Sequence, residues 1–443
     1  MKIHAVGGYS EVGRNMTALE LGEKTGNSEI LVFDCGLYLP PLVELEDGRH
    51  TAVKLHAVGA LPDDHKLREM KDQVKAFLIS HAHLDHVGAI PYIAGHYKAP
   101  IYGTPFTIEV LNSILKDNSH ALHNKKIKVN PNSSVTVGRE EYEVEFVNIT
   151  HSTLQSTLIV VYTDKGAVVY ANDFKFDNSP ILGKKPDYHK LEKIGNEGVR
   201  ALVMESLYAH EKQKTPSEKI VKDMLEDVML HVNNQNSAVL VTTFSSHIAR
   251  LSSIVEFGKK LDRKIIFLGR SLYKYTTAAA RAKLINFHKE VELLTFKQKI
   301  KKRLREIEQN REKYLIVCTG HQGEKGSVLV RIANDSFPFH LKSKDHVIFS
   351  SKTIPAPINI ANRKELENKL KDKGAKIFTD VHVSGHASRE DLRYLIELLR
   401  PQNLIPAHGD LDKLTNLAEL GTEMDYKVGK NLHILQNGRA VEL

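Results

Sequence analysis

The chain has 443 residues, 41% of them hydrophobic and 26% charged, with a formal net charge of +8. That length holds two domains with separate cores, and the composition excludes wholesale disorder. No stretch reaches the roughly 18 apolar residues of a membrane-spanning helix. Met1 to Gly8 has no apolar core of a secretion signal, so a cytoplasmic location is expected. The two cysteines, Cys35 and Cys318, lie far apart, which suits a reducing compartment rather than a disulfide framework. The positive balance suits a polyanionic partner without requiring one.

In chain order, Gly7-Gly8-Tyr9-Ser10-Glu11-Val12-Gly13 lacks the Gly-Lys-Ser/Thr ending of a phosphate loop and reads as a tight turn. Ile30 to Phe33, closing on Asp34-Cys35-Gly36, and Ala76 to Ile79, closing on Ser80-His81, read as short buried strands. Leu158 to Tyr162 and Ala167 to Tyr170 flank Thr163-Asp164-Lys165-Gly166, a hairpin by its turn residues. From about residue 209 the texture changes. Thr215-Pro216-Ser217-Glu218 opens an amphipathic helix running to about His231. Strand, polar loop and helix then alternate, with strands at 238–243, 264–268, 314–318 and 346–349, the pattern of a parallel α/β sheet. The spacing predicts an inserted domain at 209–374 between flanking parts 1–208 and 375–443, with strand character resuming at Ile377 to Val381. The most basic stretch runs from Lys297 to Lys313 and holds Lys299, Lys301, Lys302, Arg303 and Arg305. It reads as a solvated helix face, with direct RNA contact as the alternative.

The hexapeptide His81-Ala82-His83-Leu84-Asp85-His86 follows a predicted strand and precedes a predicted helix at Val87 to Ile90. Three imidazoles and a carboxylate on one turn suit a borderline cation such as zinc, whose catalytic sites keep a position open for water. Further donors stand at other strand ends: His151 after Asn148-Ile149-Thr150, Asp173 after Tyr170-Ala171-Asn172, and His408 after Ile405-Pro406-Ala407. Singly, each reads as a packed or hydrogen-bonded residue. Together with the hexapeptide they read as a metal centre.

This order of motifs resembles the metallo-β-lactamase superfamily. The resemblance implies that His81, His83 and His151 hold one metal and Asp85, His86 and His408 another, with Asp173 bridging. Two divalent ions are expected, Zn2+ first and Mn2+ as the other fit. Asp34 matches the family's first motif, where it orients the cluster through a hydrogen bond. The insert resembles that of the β-CASP nucleases, whose added motifs are matched by Glu205, His386 and His408. DNA-directed members typically carry valine at the last position, so His408 favours RNA. The implied fold is α/β, an αββα metallo-β-lactamase sandwich with an inserted β-CASP domain.

Within that branch the ribonuclease J family is the nearest resemblance, through Tyr102-Gly103-Thr104-Pro105, Thr242-Thr243-Phe244-Ser245-Ser246, Gly269-Arg270-Ser271, Cys318-Thr319-Gly320-His321-Gln322-Gly323-Glu324 and Phe349-Ser350-Ser351-Lys352-Thr353-Ile354-Pro355. Two departures stand out. Met204-Glu205-Ser206-Leu207 replaces the bacterial Ser-Asp-Ser-Thr, and the chain ends soon after His408, as in a short archaeal form. A homodimer is expected, although that short ending leaves the oligomeric state open.

The family implies a 5′-to-3′ exoribonuclease acting on single-stranded, 5′-monophosphorylated RNA through metal-activated water, in RNA decay or maturation. His386 would protonate the departing 3′ oxygen, with Asp85 and Glu205 as catalytic carboxylates. Ser245, Ser246, His247, Arg270 and Ser271 stand at strand ends of the insert, where such sheets place ligands. They are expected to receive the 5′-phosphate, and Ser384 and Gly385, with His382, to present small donors to phosphate oxygens, although each serine also reads as a helix cap. Three rivals remain: a β-CASP endonuclease of the cleavage-and-polyadenylation type, a small-molecule hydrolase such as a lactonase, and a catalytically silent RNA scaffold.

Overall fold

The computed structural model describes residues 1–22, 28–43, 51–118 and 121–443. It divides into two compact units. One comprises Met1–Asn178, Gly183–Thr215 and Gly385–Leu443, and the other comprises Ser179–Leu182 and Pro216–Ser384.

The first unit is built on two sheets. One has the spatial order Arg439–Glu442, Lys2–Gly7, Met16–Leu21, Glu29–Phe33, Val74–Ile79, Ile101–Gly103 and Lys126–Lys128. The other runs Leu404–Ala407, Val199–Glu205, Ala167–Ala171, Thr157–Val161, Tyr142–Asn148 and Ser133–Val137. Glu29–Phe33, Thr157–Val161 and Ala167–Ala171 are buried at every position. Continuous apolar runs of this kind arise because both faces of a strand are covered. The inner faces share one core, in which Phe33 of the first sheet stacks on Tyr170 of the second at 4.9 Å. Helices Pro105–Asn118 and Ile90–Ile93 pack in the core of the first sheet's outer face. Tyr188–Glu197, Arg389–Leu399 and Leu411–Glu423 do the same for the second. Helix, sheet, sheet and helix make the αββα layering of a metallo-β-lactamase domain.

The second unit carries a six-stranded, wholly parallel sheet in the order Val291–Leu294, Lys264–Leu268, Tyr314–Cys318, Val239–Thr242, His346–Phe349 and Lys376–Phe378. Helices Ile248–Lys260, Arg270–Arg281, Lys297–Glu308, Val328–Ala333 and Pro357–Asp372 lie between its strands in sequence. This is the inserted β-CASP domain.

Several local expectations shift. Residues 209–215, read as the start of the insert, are tied to the first unit: Arg389 N donates to Glu211 O, Glu390 N to Gln213 O, and Thr215 N to Asp391 Oδ2. Lys376–Phe378, read as the return to the first domain, pairs with His346–Phe349 in the insert's sheet. The helix after the hexapeptide begins at Leu84 rather than Val87, with His83 in extended backbone before it, and a second helix follows at Ile90–Ile93. The helix after Ser217 covers Glu218–Glu226 and widens into a π-helical turn over Asp227–His231. The hairpin of Thr157–Val161 and Ala167–Ala171 is antiparallel, as expected. Both cysteines are buried and free. Among the described residues no helix is long and apolar enough to cross a membrane.

Phe33 is a direct probe of the inter-sheet core. Phe33→Ala is expected to cost about 3–5 kcal/mol, seen as a lower denaturant midpoint. A change below 1 kcal/mol would show that the two sheets do not depend on this contact.

Candidate metal centre

The candidate residues of the first unit come from strand ends. Asp34 follows Glu29–Phe33, the hexapeptide follows Val74–Ile79, and His151 follows Tyr142–Asn148. Asp173 follows Ala167–Ala171, Glu205 ends Val199–Glu205, and His408 follows Leu404–Ala407. At three of these ends the chain turns sharply: Asp34, Asp173 and His408 have φ of 56°, 58° and 55°. That left-handed conformation is costly for most side chains and marks positions held by their surroundings.

Two sets of ligand atoms converge there. His81, His83, His151 and Asp173 offer atoms within 4.8 Å of one another, and so do Asp85, His86 and His408. In the first set, His81 Nε2 and His151 Nε2 lie 3.2 and 3.1 Å from His83 Nδ1, and 3.4 and 3.5 Å from Asp173 Oδ2. In the second, Asp85 Oδ2 is 3.6 Å from both His86 Nε2 and His408 Nε2. Asp173 Oδ2 also lies 3.1 Å from His86 Nε2, so one oxygen borders both sets.

These spacings fit a cation. Zinc–nitrogen bonds of about 2.0–2.1 Å put tetrahedral ligand atoms about 3.3 Å apart. His408 Nε2, on a residue only 1% exposed, has no hydrogen-bond partner, which is uncommon for a buried polar atom and fits a nitrogen placed to ligate. The opposite nitrogens are occupied. His86 Nδ1 donates to Asp34 Oδ2 at 2.7 Å, His151 Nδ1 to Gly385 O at 2.7 Å, His408 Nδ1 to Asp173 Oδ1 at 2.6 Å, and His81 Nδ1 to Ser80 Oγ at 3.0 Å. Each bond fixes the tautomer that leaves Nε2 as a lone pair facing inward. The exception is His83, which presents Nδ1.

The electrostatics agree. Burial, followed by neighbouring imidazoles, holds His81 below its ordinary value and His83 well below. Burial likewise keeps His151 well below, so these three rings stay neutral and able to ligate. Burial alone would raise the Asp173 carboxyl, but His86, His408 and His386 hold it well below the usual carboxylate range. His86 is raised despite burial by Asp173, Asp85 and Asp34.

His386 and Glu205 form a pair beside this cluster. His386 Nδ1 donates to Glu205 Oε2 at 2.8 Å, while Glu205 Oε1 accepts from Phe174 N at 2.7 Å. Both carboxylate oxygens of the fully buried Glu205 are thus committed. Burial disfavours charge on His386, yet Glu205 and Asp173 outweigh it and push the imidazole up to about 9. Its ring centroid is 4.8 Å from that of His151.

The residues expected to receive a phosphate have mixed surroundings. Ser245, Ser246 and His247 follow Val239–Thr242, and Arg270 and Ser271 are exposed at the start of Arg270–Arg281. His247, not a serine, caps Ile248–Lys260, its Nδ1 accepting from Arg250 N. Its Nε2 lies 3.3 Å from Glu218 Oε2, and Glu218 clamps the fully buried Arg250 through Nε and Nη2. Arg250 Nη1 in turn approaches His382 Nδ1 at 3.4 Å. Ser384 is half-buried at the end of the insert. Gly385 belongs to the first unit, where its carbonyl anchors His151 and its Cα packs against Ser152.

Some contributors carry no signal in a single sequence. Asn15, 1% exposed, donates through Nδ2 to Asp85 O at 3.1 Å and lies 3.1 Å from His86 Nε2, while its own carbonyl accepts from Gly36 N. Gly36 is needed because a Cβ there would sit 1.6 Å from Asp85 O.

Comparison with known proteins agrees with this geometry. Residues 12–212 match the metallo-beta-lactamase superfamily, 236–369 the ribonuclease J beta-CASP domain, and 373–432 a Zn-dependent metallo-hydrolase RNA specificity domain. Ribonuclease J of Pyrococcus abyssi is 44% identical across this whole chain and 97% of its own length. The Methanocaldococcus jannaschii ribonuclease J is 39% identical, across the whole chain and 98% of its own length. Ribonuclease J2 of Bacillus subtilis is 30% identical, across the whole chain and 75% of its own length. A crystal structure of an Enterococcus faecalis V583 protein of unknown function shares the fold, with a TM-score of 0.65 at 18% identity, over 100% of this chain and 99% of that one.

Asp34→Asn keeps the size of the side chain but removes the charge that His86 donates to. Affinity for a divalent cation, measured by chelator competition, is expected to fall about 10- to 100-fold. Unchanged affinity would remove Asp34 from the account. Gly36→Ala is expected to lower both cation affinity and melting temperature, because the Asp85 backbone must move.

Proposed function

Because the chain belongs to the ribonuclease J family of metal-dependent β-CASP nucleases, we propose that it is a 5′-to-3′ exoribonuclease that degrades 5′-monophosphorylated single-stranded RNA to 5′-mononucleotides. The observation that carries this reading is the Glu205–His386 pair set against the donor cluster, with Glu205 at 2.8 Å from His386 and Asp173 Oδ1 at 3.8 Å. A proton donor beside a cation-binding cluster is what phosphodiester hydrolysis requires.

On this reading His81, His83 and His151 would hold one divalent cation and Asp85, His86 and His408 a second, with Asp173 serving both sets. Zn2+ is the expected ion, and Mn2+ suits the same His and Asp donors. When bound, the pair supplies activated water near neutral pH and Lewis-acid stabilisation of charge at phosphorus. The chain's own residues do the rest. Asp34 engages His86 Nδ1 and so turns its Nε2 toward the donor set. Gly385 O does the same for His151, so the donor set is oriented before substrate arrives. His386, with Nδ1 engaged by Glu205, offers its Nε2 proton to the departing 3′ oxygen, leaving a 5′-phosphate on the downstream product. Asp85 completes the second donor set from a side chain that is only 20% exposed. Ser245, Ser246, Arg270 and Ser271 of the second unit receive the 5′-phosphate of the RNA end, and His382 and Ser384 offer donors to phosphate oxygens. The buried Glu218–Arg250 pair, which His247 also meets, supports His382 in that task. The enzyme works in the cytoplasm as a homodimer, in RNA decay or maturation.

A substrate panel tests this. With Zn2+ or Mn2+ present, 5′-monophosphorylated RNA is expected to yield mononucleotides, and 5′-triphosphorylated and circular RNAs are expected to resist. Cutting of the circle would overturn the exonuclease reading in favour of an endonuclease. His386→Ala is expected to lower kcat by about 10²–10⁴-fold. Glu205→Gln should give a smaller loss, in kcat rather than KM, because it acts through His386. Equal loss in KM would count against the proton-donor role.

A further inference from the structure

The most basic segment of the chain takes no part in the metal centre. Helix Lys297–Glu308 buries Ile300, Leu304 and Ile307 in the core of the insert and turns its other faces outward. Its cations divide into two groups. Arg303 is neutralised by Glu292 and Glu306 and lies over the Tyr314 ring. Glu308, the helix's other acid, is taken by Arg311 and Lys342. Lys297, Lys299, Lys301, Lys302 and Arg305 are left with no carboxylate partner among the described residues. All but Lys301 are exposed.

Phe296, immediately before the helix, is 69% exposed. Lys299, Lys302 and Arg305 follow at intervals of three, so neighbouring Cβ atoms lie about 5–6 Å apart along a ridge that winds around the helix, and Phe296 stands in extended backbone at its head. Lys299 Nζ lies 5.7 Å from the Phe296 ring centroid. A helix face that only needs solvation requires neither an uncompensated row of cations nor an aromatic ring at its head. Cations in line with an exposed ring match a flexible polyanion that carries unpaired bases.

We infer that this ridge, flanked by Lys297 and Lys301, is an additional binding site for single-stranded RNA on the insert, with Phe296 stacking on a base and the cations contacting phosphates. It recruits or retains RNA beyond the reacting end. The inference rests on RNA as the substrate, but not on the direction or chemistry of cleavage.

The test is fluorescence anisotropy of a labelled single-stranded RNA on the full-length protein, with a chelator present so that nothing is cut. Lys299→Gln/Lys302→Gln/Arg305→Gln is expected to weaken binding and to make the dependence of log affinity on log salt shallower by about 2, at roughly 0.7 per phosphate contact. The charge-preserving Lys299→Arg/Lys302→Arg/Arg305→Lys variant should keep the parental slope. Phe296→Ala should weaken single-stranded binding about fivefold or more, leaving the slope and the binding of a duplex unchanged. An unaltered slope in the triple Gln variant, with a parental melting temperature, overturns the proposal. So does a Phe296→Ala variant that loses self-association in sedimentation while retaining RNA affinity, which would assign the ridge to a second copy of the chain. Because no cleavage is measured, this experiment and the substrate panel fail independently.

Discussion

A single buried carboxylate organises the first unit. Asp173 is 2% exposed, and an isolated charge so placed would be strongly destabilising. His81, His86, His151, His386 and His408 each bring a ring nitrogen within 4 Å of it. The converse constraint is equally strong, because these imidazoles repel one another whenever more than one is protonated. Three neutral rings (His81, His83 and His151), one central anion and an Nε2 on His408 without a hydrogen-bond partner make a donor set suited to a cation. Divalent cations fit that set without introducing another proton.

The two sheets supply the precision. Asp173, Glu205 and His408 leave three adjacent parallel strands of one sheet, and Asp34 and His81 leave neighbouring parallel strands of the other. The shared apolar core holds those ends to a fixed register, so the donor cluster inherits its geometry from packing rather than from loop conformation. Asp34 shows how far this extends. Ser80 N and Oγ donate to it, and so does His86, so one carboxylate joins the start of the hexapeptide to its end.

Much of this was legible in the sequence because donors at strand ends leave a mark: an apolar run followed abruptly by His or Asp. The hexapeptide, His151, Asp173 and His408 all have that form. What could not be read depended on contacts distant in sequence. Lys376–Phe378 is a three-residue edge strand whose allegiance is decided only by pairing with His346–Phe349. Residues 209–215 read as the start of the insert until their backbone groups are matched with 389–391. Asn15 is an ordinary asparagine in sequence, and its use comes from the approach of the Asp85 backbone. His247 looks like a ligand-binding residue beside two serines, yet its ring is turned to a helix cap and a buried glutamate, because Arg250 must be neutralised.

The left-handed backbone at Asp34, Asp173 and His408 narrows the side chains that these three corners accept without strain. Glycine, asparagine, aspartate and histidine adopt such a conformation most readily, whereas valine, isoleucine and threonine resist it. The permitted alphabet at these corners therefore overlaps with the alphabet of metal-binding and hydrogen-bonding side chains. A β-branched residue at one of these corners would therefore change the backbone preference of the turn as well as its chemistry.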